Sequence, residues 1–201
     1  MVLPRPHEKS TVAGQTYPLP QPFLVLATQN PLEMEGTYPL PKAQLDRFLL
    51  KLIVRFPRAE ELETILDRTT EAAEPRAEPV MDGARILELR RLARQIPIAG
   101  EVRRYGINLV LATHPDNELA PEAARRYVHY GASPRGAQAL ILAAKIRAVL
   151  DQRYHVARDD LRAVAHAALR HRLILNFEGQ AENVSTDQVI DEILRGMPAA
   201  R

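Results

Sequence analysis

The hydrophobic period of this chain changes part-way along it, and that change limits what the chain can fold into more than any single motif. From Asp82 onward, apolar residues return every three to four positions. They do so over Asp82–Gln95, Gly100–Thr113, Pro134–Leu150, Arg158–His171 and Thr186–Leu194, which predicts amphipathic helices and nothing else in that region. Earlier, Phe23–Thr28 and Phe48–Phe56 are short apolar runs flanked by proline, the pattern of buried strands. Gly14 separates Ser10–Ala13 from Gln15–Pro18 and can supply the positive φ of a tight hairpin. A short helix is expected around Pro41–Arg47, and a second over Ala59–Arg68 with Leu62, Ile65 and Leu66 as its buried stripe. Thr69–Pro79 is acidic and broken by proline, a linker in composition. The expected architecture is therefore an α/β unit over residues 1–68 followed by an all-α unit over residues 69–201.

Composition removes several functions. The 201 residues contain no cysteine, which excludes disulfides and thiolate metal sites and suits a reducing, cytoplasmic setting. No apolar run approaches a membrane span, and the first residues do not read as a signal peptide. The six histidines lack ligand spacing, and His166 and His171, five apart, fall on different sides of a helix, so no metal site is expected. A net charge of +2 with pI near 9.0 hints at basic surface. Without an aromatic stacking platform it argues poorly for nucleic acid.

The phrase LVLAT occurs twice, at Leu24–Thr28 and Leu109–Thr113. The first copy runs into Asn30-Pro31 at the end of an expected strand. The second continues a helical stripe of Val102, Tyr105, Leu109, Val110 and Thr113, so only the first is expected to end in groups with chemistry to offer. Asn30, at a strand's C-terminal end, can orient a water or touch a phosphate, but the plainer reading of the residues alone is an Asn-Pro turn. Arg47, in AQLDRF, follows a short helix, and its planar fork suits phosphate, including phosphate across a subunit boundary. A local ion pair with Asp46 is the plainer reading. Ser133-Pro134 is a strong helix start and places Arg135 in the first turn, beside the positive end of the helix dipole. That placement points to an anion nearby, a phosphate ligand among the choices, or to an exposed arginine carrying a small electrostatic cost.

Two near matches fail. GASPRGAQ (Gly131–Gln138) has the G-x-x-x-x-G spacing of a phosphate loop, but Ala137 and Gln138 stand where lysine and a hydroxyl are required. VIDE (Val189–Glu192) imitates the acidic end of a magnesium-binding strand inside a helical period.

Together, GQTYPLPQPFLVLATQNPLEMEGTYPLPKAQLDRF (Gly14–Phe48), GASPRGAQALILAAKIRA and LRHRLILNF closely resemble the MoxR family of AAA+ ATPases. The resemblance implies an α/β fold, the end of a P-loop AAA+ core, followed by the family's all-α lid domain. It also implies roles. Asn30 would be sensor 1, which orients the attacking water, and Arg47 the arginine finger, which acts on nucleotide in the neighbouring subunit; both are catalytic. Arg135 would be sensor 2, which binds the subunit's own nucleotide. The implied cofactors are ATP and Mg2+. The implied assembly is a homo-oligomeric ring, usually hexameric, that works on client protein complexes beside partners with von Willebrand A domains, in the cytoplasm and off the membrane.

No G-x-x-x-x-G-K-[ST] occurs in the chain, and no strand-like run ends in Asp-Glu. The expectation is a C-terminal portion of such an ATPase, from a truncated or split gene or a late start, that does not hydrolyse ATP alone. The competing expectation is a non-catalytic adaptor that joins intact rings and offers Arg47 in trans; a helical nucleic-acid-binding domain ranks third.

Overall fold

The computed structural model describes residues 9–12, 14–29, 41–70 and 77–197. Strands β1 (Lys9–Val12) and β2 (Gln15–Pro18) form the expected hairpin, with Gly14 at φ 80° at its tip. Short helix α1 (Lys42–Leu45) follows Pro41, and α2 spans Ala59–Thr70. Then come α3 (Gly83–Gln95), α4 (Gly100–Leu111), α5 (Glu122–Tyr127), β3 (Val128–Tyr130), α6 (Pro134–Leu150), α7 (Arg158–Leu169), β4 (Ile174–Leu175), α8 (Phe177–Ala181) and α9 (Thr186–Gly196).

Three expectations need correction. The region after residue 79 is not helix only: β3 and β4 pair antiparallel across the helical unit, Val128 against Leu175 and Tyr130 against Ile174. These pieces are two and three residues long, too short to carry a period that sequence can display. Phe23–Thr28 and Phe48–Phe56 do not form strands. A strand needs a neighbour for its backbone groups, and no strand of the described residues runs beside either segment. Finally, α2 buries nothing: Leu62, Ile65 and Leu66 are 37%, 43% and 52% exposed. Its apolar stripe is real but stays open to solvent.

The core is helical. Leu109 from α4, Leu140 from α6, Leu161 and Leu169 from α7, and Val189, Ile190 and Ile193 from α9 are essentially sealed from solvent. Helix α6 is central, and Gly136, Ala139, Ala143, Ala144 and Ala148 give it a small-residue surface on which α7 packs closely. Sequence-legible caps fix the helix starts. The Asp82 carboxylate accepts from the Arg85 amide at 2.8 Å, and Ser185 and Gln188 cap the start of α9 reciprocally. At the other end of α9, Arg162 donates to the carbonyls of Leu194 and Met197 at 2.8 and 3.0 Å.

Buried Asp160 orients α7. It accepts a two-pronged hydrogen bond from Arg153, at 2.8 Å on Oδ2 and 2.5 Å on Oδ1, and another from the Ala157 amide at 2.8 Å. Burial alone would raise its pKa, but the Arg153 bonds and the Ala157 amide outweigh that and lower it, so the carboxylate stays charged inside the fold. The other end of α7 reaches the candidate site.

Candidate functional site

Asp46 is the hub of the site. It lies just after α1, and its carboxylate collects hydrogen bonds from three side chains of the helical unit. Ser133 Oγ donates to Oδ1 at 2.7 Å, Arg135 Nη1 to Oδ2 at 3.0 Å, and Arg172 Nε to Oδ1 at 3.1 Å. Burial pushes the Asp46 pKa up; the bonds from Ser133 and Arg135 and the charges of Arg172 and Arg135 outweigh it, and the net shift is downward. Asp46 therefore holds a full negative charge at neutral pH.

The anion expected beside Arg135 is thus present within the protein. Arg135 does sit in the first turn of α6, with its amide bonded to Ser133 Oγ at 3.2 Å, but the Asp46 carboxylate satisfies the electrostatic argument without any ligand. Its side chain is 55% exposed and retains donors facing outward. Arg47 is half-buried and follows Asp46 directly in the chain, and it is Asp46 whose carboxylate Arg135 binds. Asn30 lies outside the described residues.

The second LVLAT copy has more to offer than its helical period suggested. It ends in Thr113 and His114, and these hold the loop before α6. Thr113 Oγ1 donates to the Val110 carbonyl at 2.6 Å and accepts from the Ala132 amide at 2.9 Å, while His114 Nε2 lies 3.0 Å from the Ala132 carbonyl. Gly131 makes that docking possible: a Cβ there would come within 2.7 Å of the Thr113 carbonyl oxygen. The second phrase therefore positions Ser133 and Arg135.

Arg172 is a site residue that the sequence reading does not single out. Its side chain is 1% exposed. Leu161, Ala165, Ala168, Leu169 and Arg172 follow one helical stripe, so a charge on the buried face was the available signal. Burial lowers its pKa and the Asp46 carboxylate opposes that. His171, the last residue of the expected helix, lies two residues past the observed end of α7, and its Nε2 is 3.0 Å from the Phe48 carbonyl. Burial, with the adjacent Arg172 charge, holds its pKa down at about 4; the ring is neutral at pH 7, with its proton on Nε2 for the Phe48 carbonyl.

Among the described residues no group of three or more His, Asp or Glu is placed to hold a metal ion, and no helix is long and apolar enough to cross a membrane. A hollow of about 620 Å³ between α3, α4 and α6, lined by Ile107, Ile141 and Leu142 with Arg94 and Arg103, contains neither Arg47 nor Arg135.

Comparison with known proteins decides the family. Residues 5–50 match the model of the ATPase family associated with various cellular activities, and residues 121–193 match the AAA lid domain. The chain is 37% identical over 185 residues to the chaperone MoxR1 of Mycobacterium tuberculosis, covering 92% of this chain and 49% of that protein. The chain belongs to the MoxR family of AAA+ ATPases. YeaC of Bacillus subtilis is 37% identical over 187 residues, covering 92% of this chain and 55% of YeaC. A crystal structure of a candidate ATPase from Cytophaga hutchinsonii superposes with a TM-score of 0.88 at 39% identity, covering 96% of this chain and 59% of that one. The fold is accordingly part of an AAA+ core with its helical lid. The chain spans about half the length of the curated relatives it matches. In the MoxR framework, the lid-model match contains Ser133, Arg135 and Arg172, and the core-model match contains Asp46 and Arg47.

Proposed function

We propose that this chain is the C-terminal portion of a MoxR-type AAA+ ATPase, with residues 1–68 as the end of the ATPase core and residues 69–201 as the lid. The observation that carries this reading is the junction at Asp46, the residue just before Arg47, whose carboxylate accepts hydrogen bonds from Ser133, Arg135 and Arg172 of the lid. In that arrangement Arg47 is an arginine finger for ATP held by the neighbouring subunit of a ring, hexameric by family. Arg135 binds the nucleotide of its own subunit and couples the lid to it, and Asn30 orients the attacking water and reads the γ-phosphate. A guanidinium positioned before the reaction stabilises charge on the transferring phosphoryl group without reorganising, which is where such enzymes gain rate. ATP and Mg2+ are the cofactors. The proposed setting is the cytoplasm, and the proposed partners are client protein complexes and von Willebrand A domain proteins.

GASPRGAQ, the stretch with the spacing of a phosphate loop, lacks the lysine and the hydroxyl that such a loop uses. The chain alone is therefore proposed not to turn ATP over. Its action on ATP would be in trans, as a subunit or adaptor that offers Arg47 to an intact neighbour.

The test is phosphate release by an intact MoxR-type protein mixed with increasing amounts of this chain. Turnover is expected to rise with wild-type chain and to be lost, by about tenfold or more, with Arg47→Ala. Equal turnover with wild type and Arg47→Ala, once co-assembly is demonstrated, would remove the finger assignment.

A further inference from the structure

Among the described residues no strand pairs with the segment that follows the proposed finger, and the carbonyls at its start bond to side chains instead. The donors are three consecutive side chains after α7. Arg170 Nη1 donates to the Lys51 carbonyl at 3.1 Å, and His171 Nε2 to the Phe48 carbonyl at 3.0 Å. Arg172 does more, because each of its five guanidinium N–H groups has an acceptor. Nε meets Asp46 Oδ1 at 3.1 Å; Nη2 meets the carbonyls of Asp46 at 3.0 Å and Phe48 at 2.6 Å; Nη1 meets the carbonyl of Leu49 at 3.2 Å and that of Ala168. In return the Lys51 amide donates to the Ala167 carbonyl at 2.8 Å.

The carbonyls of residues 46 and 48 bracket Arg47. The Asp46 carbonyl belongs to the peptide before Arg47, and the peptide after it is held by the Phe48 amide, which donates to the Leu45 carbonyl at 3.1 Å. The Phe48 carbonyl lies one peptide further on. Together these bonds fix the backbone around Arg47 and the direction of its Cα–Cβ bond. One planar fork holding both carbonyls does this more rigidly than two separate donors could. The lid is built to seat that fork: a Cβ at Gly136, in the first turn of α6, would lie 3.2 Å from Arg172 Cδ and 3.4 Å from Leu169 Cδ2.

We infer that Arg172 is a positioning residue for Arg47: it locks the finger segment onto the lid, so that any movement of the lid carries the finger with it. This rests on the finger assignment proposed for Arg47. Through Asp46, which also binds Arg135, the residue proposed to read the subunit's own nucleotide joins the same rigid unit as the residue proposed to act on the neighbour's. Signalling between adjacent sites of a ring then needs no separate relay.

The experiment uses the whole chain as wild type, Arg172→Lys and Arg172→Met. Lysine keeps the charge beside Asp46 but has no fork, which protects against simple unfolding; methionine removes the charge as well. Amide hydrogen exchange is followed over residues 46–52 and, as an internal control, over α6 and α9. Stimulation of an intact MoxR-type protein is measured in parallel as kcat and KM for ATP. In Arg172→Lys, exchange at 47–51 should speed up by about tenfold while α6 and α9 keep wild-type protection. The stimulated kcat should fall toward the Arg47→Ala level with KM unchanged. Wild-type exchange at 47–51 in both variants would overturn the positioning role. So would full stimulation by a chain whose segment has been loosened. A wild-type chain that fails to stimulate would overturn the finger assignment itself, a result distinct from stimulation that survives Arg172→Lys.

Discussion

His171 sets a pH dependence that can be worked out in full. Its pKa is about 4 in the folded chain against an ordinary 6.5, because burial and the neighbouring Arg172 disfavour the charged ring. The unfolded chain takes up a proton as pH falls through about 6.5, while the folded chain resists until about 4. Unfolding therefore binds a proton in that window. Stability contributed by the neutral ring is complete above about pH 6.5 and is lost progressively down to about pH 4. The gap between 6.5 and about 4 corresponds to roughly 3.4 kcal/mol at most. The ring is only half-buried, so solvent screening reduces the expected loss to about 2 kcal/mol. The carboxylates do not confuse the measurement: Asp46 and Asp160 both have lowered pKa values, and their contributions are lost as pH falls below about 4. The chain has no tryptophan, so urea unfolding is best followed by far-ultraviolet circular dichroism, at intervals from about pH 7 to about pH 4.5. The control is His171→Gln, whose amide can still donate to the Phe48 carbonyl but does not titrate. Wild type should lose about 1–2 kcal/mol relative to the variant across that range. Parallel curves, within a few tenths of a kcal/mol, would refute a buried neutral His171.

Other substitutions test the remaining parts of the fold. Ser133→Ala removes both the cap of α6 and a donor to Asp46, and should cost about 1–2 kcal/mol in chemical unfolding. Asp160→Asn takes the charge from the two-pronged Arg153 bond and should lower stability by about 2 kcal/mol, seen as a lower melting temperature at neutral pH. Gly131→Ala forces a Cβ against the Thr113 backbone; nuclear magnetic resonance shifts at Ala132 and Thr113 should move, with stability falling by more than about 1 kcal/mol. Leu140→Ala, in the sealed core, should cost about 3 kcal/mol, whereas Phe56→Ser, at a side chain 85% exposed, should stay within about 0.5 kcal/mol of wild type.

The period change and the caps were legible because they are local. A stripe at 3.6 residues, a serine before a proline, or a glycine at a hairpin tip states its conformation within a few positions, and α3, α4, α6, α7 and α9 appear where the pattern puts them, to within about two residues at their ends. The family was legible for a similar reason: LVLATQNP, LDRF and GASPRG are contiguous strings. What sequence could not supply is whatever depends on a distant partner. Phe48–Phe56 has the composition of a strand, but its backbone groups bond to Ala167, Arg170, His171 and Arg172, because pairing requires a neighbour that composition cannot place. The apolar stripe of α2 is written in the chain, and whether anything covers it is not. Most of all, Asp46 looks in sequence like a local partner for Arg47. Only the folding of α6 and α7 onto the same corner brings Ser133, Arg135 and Arg172, some 87 to 126 residues away, to its carboxylate. Sequence determined which residues carry charge and which helices carry them; the tertiary structure decided which charges meet, because ion pairing follows distance in space.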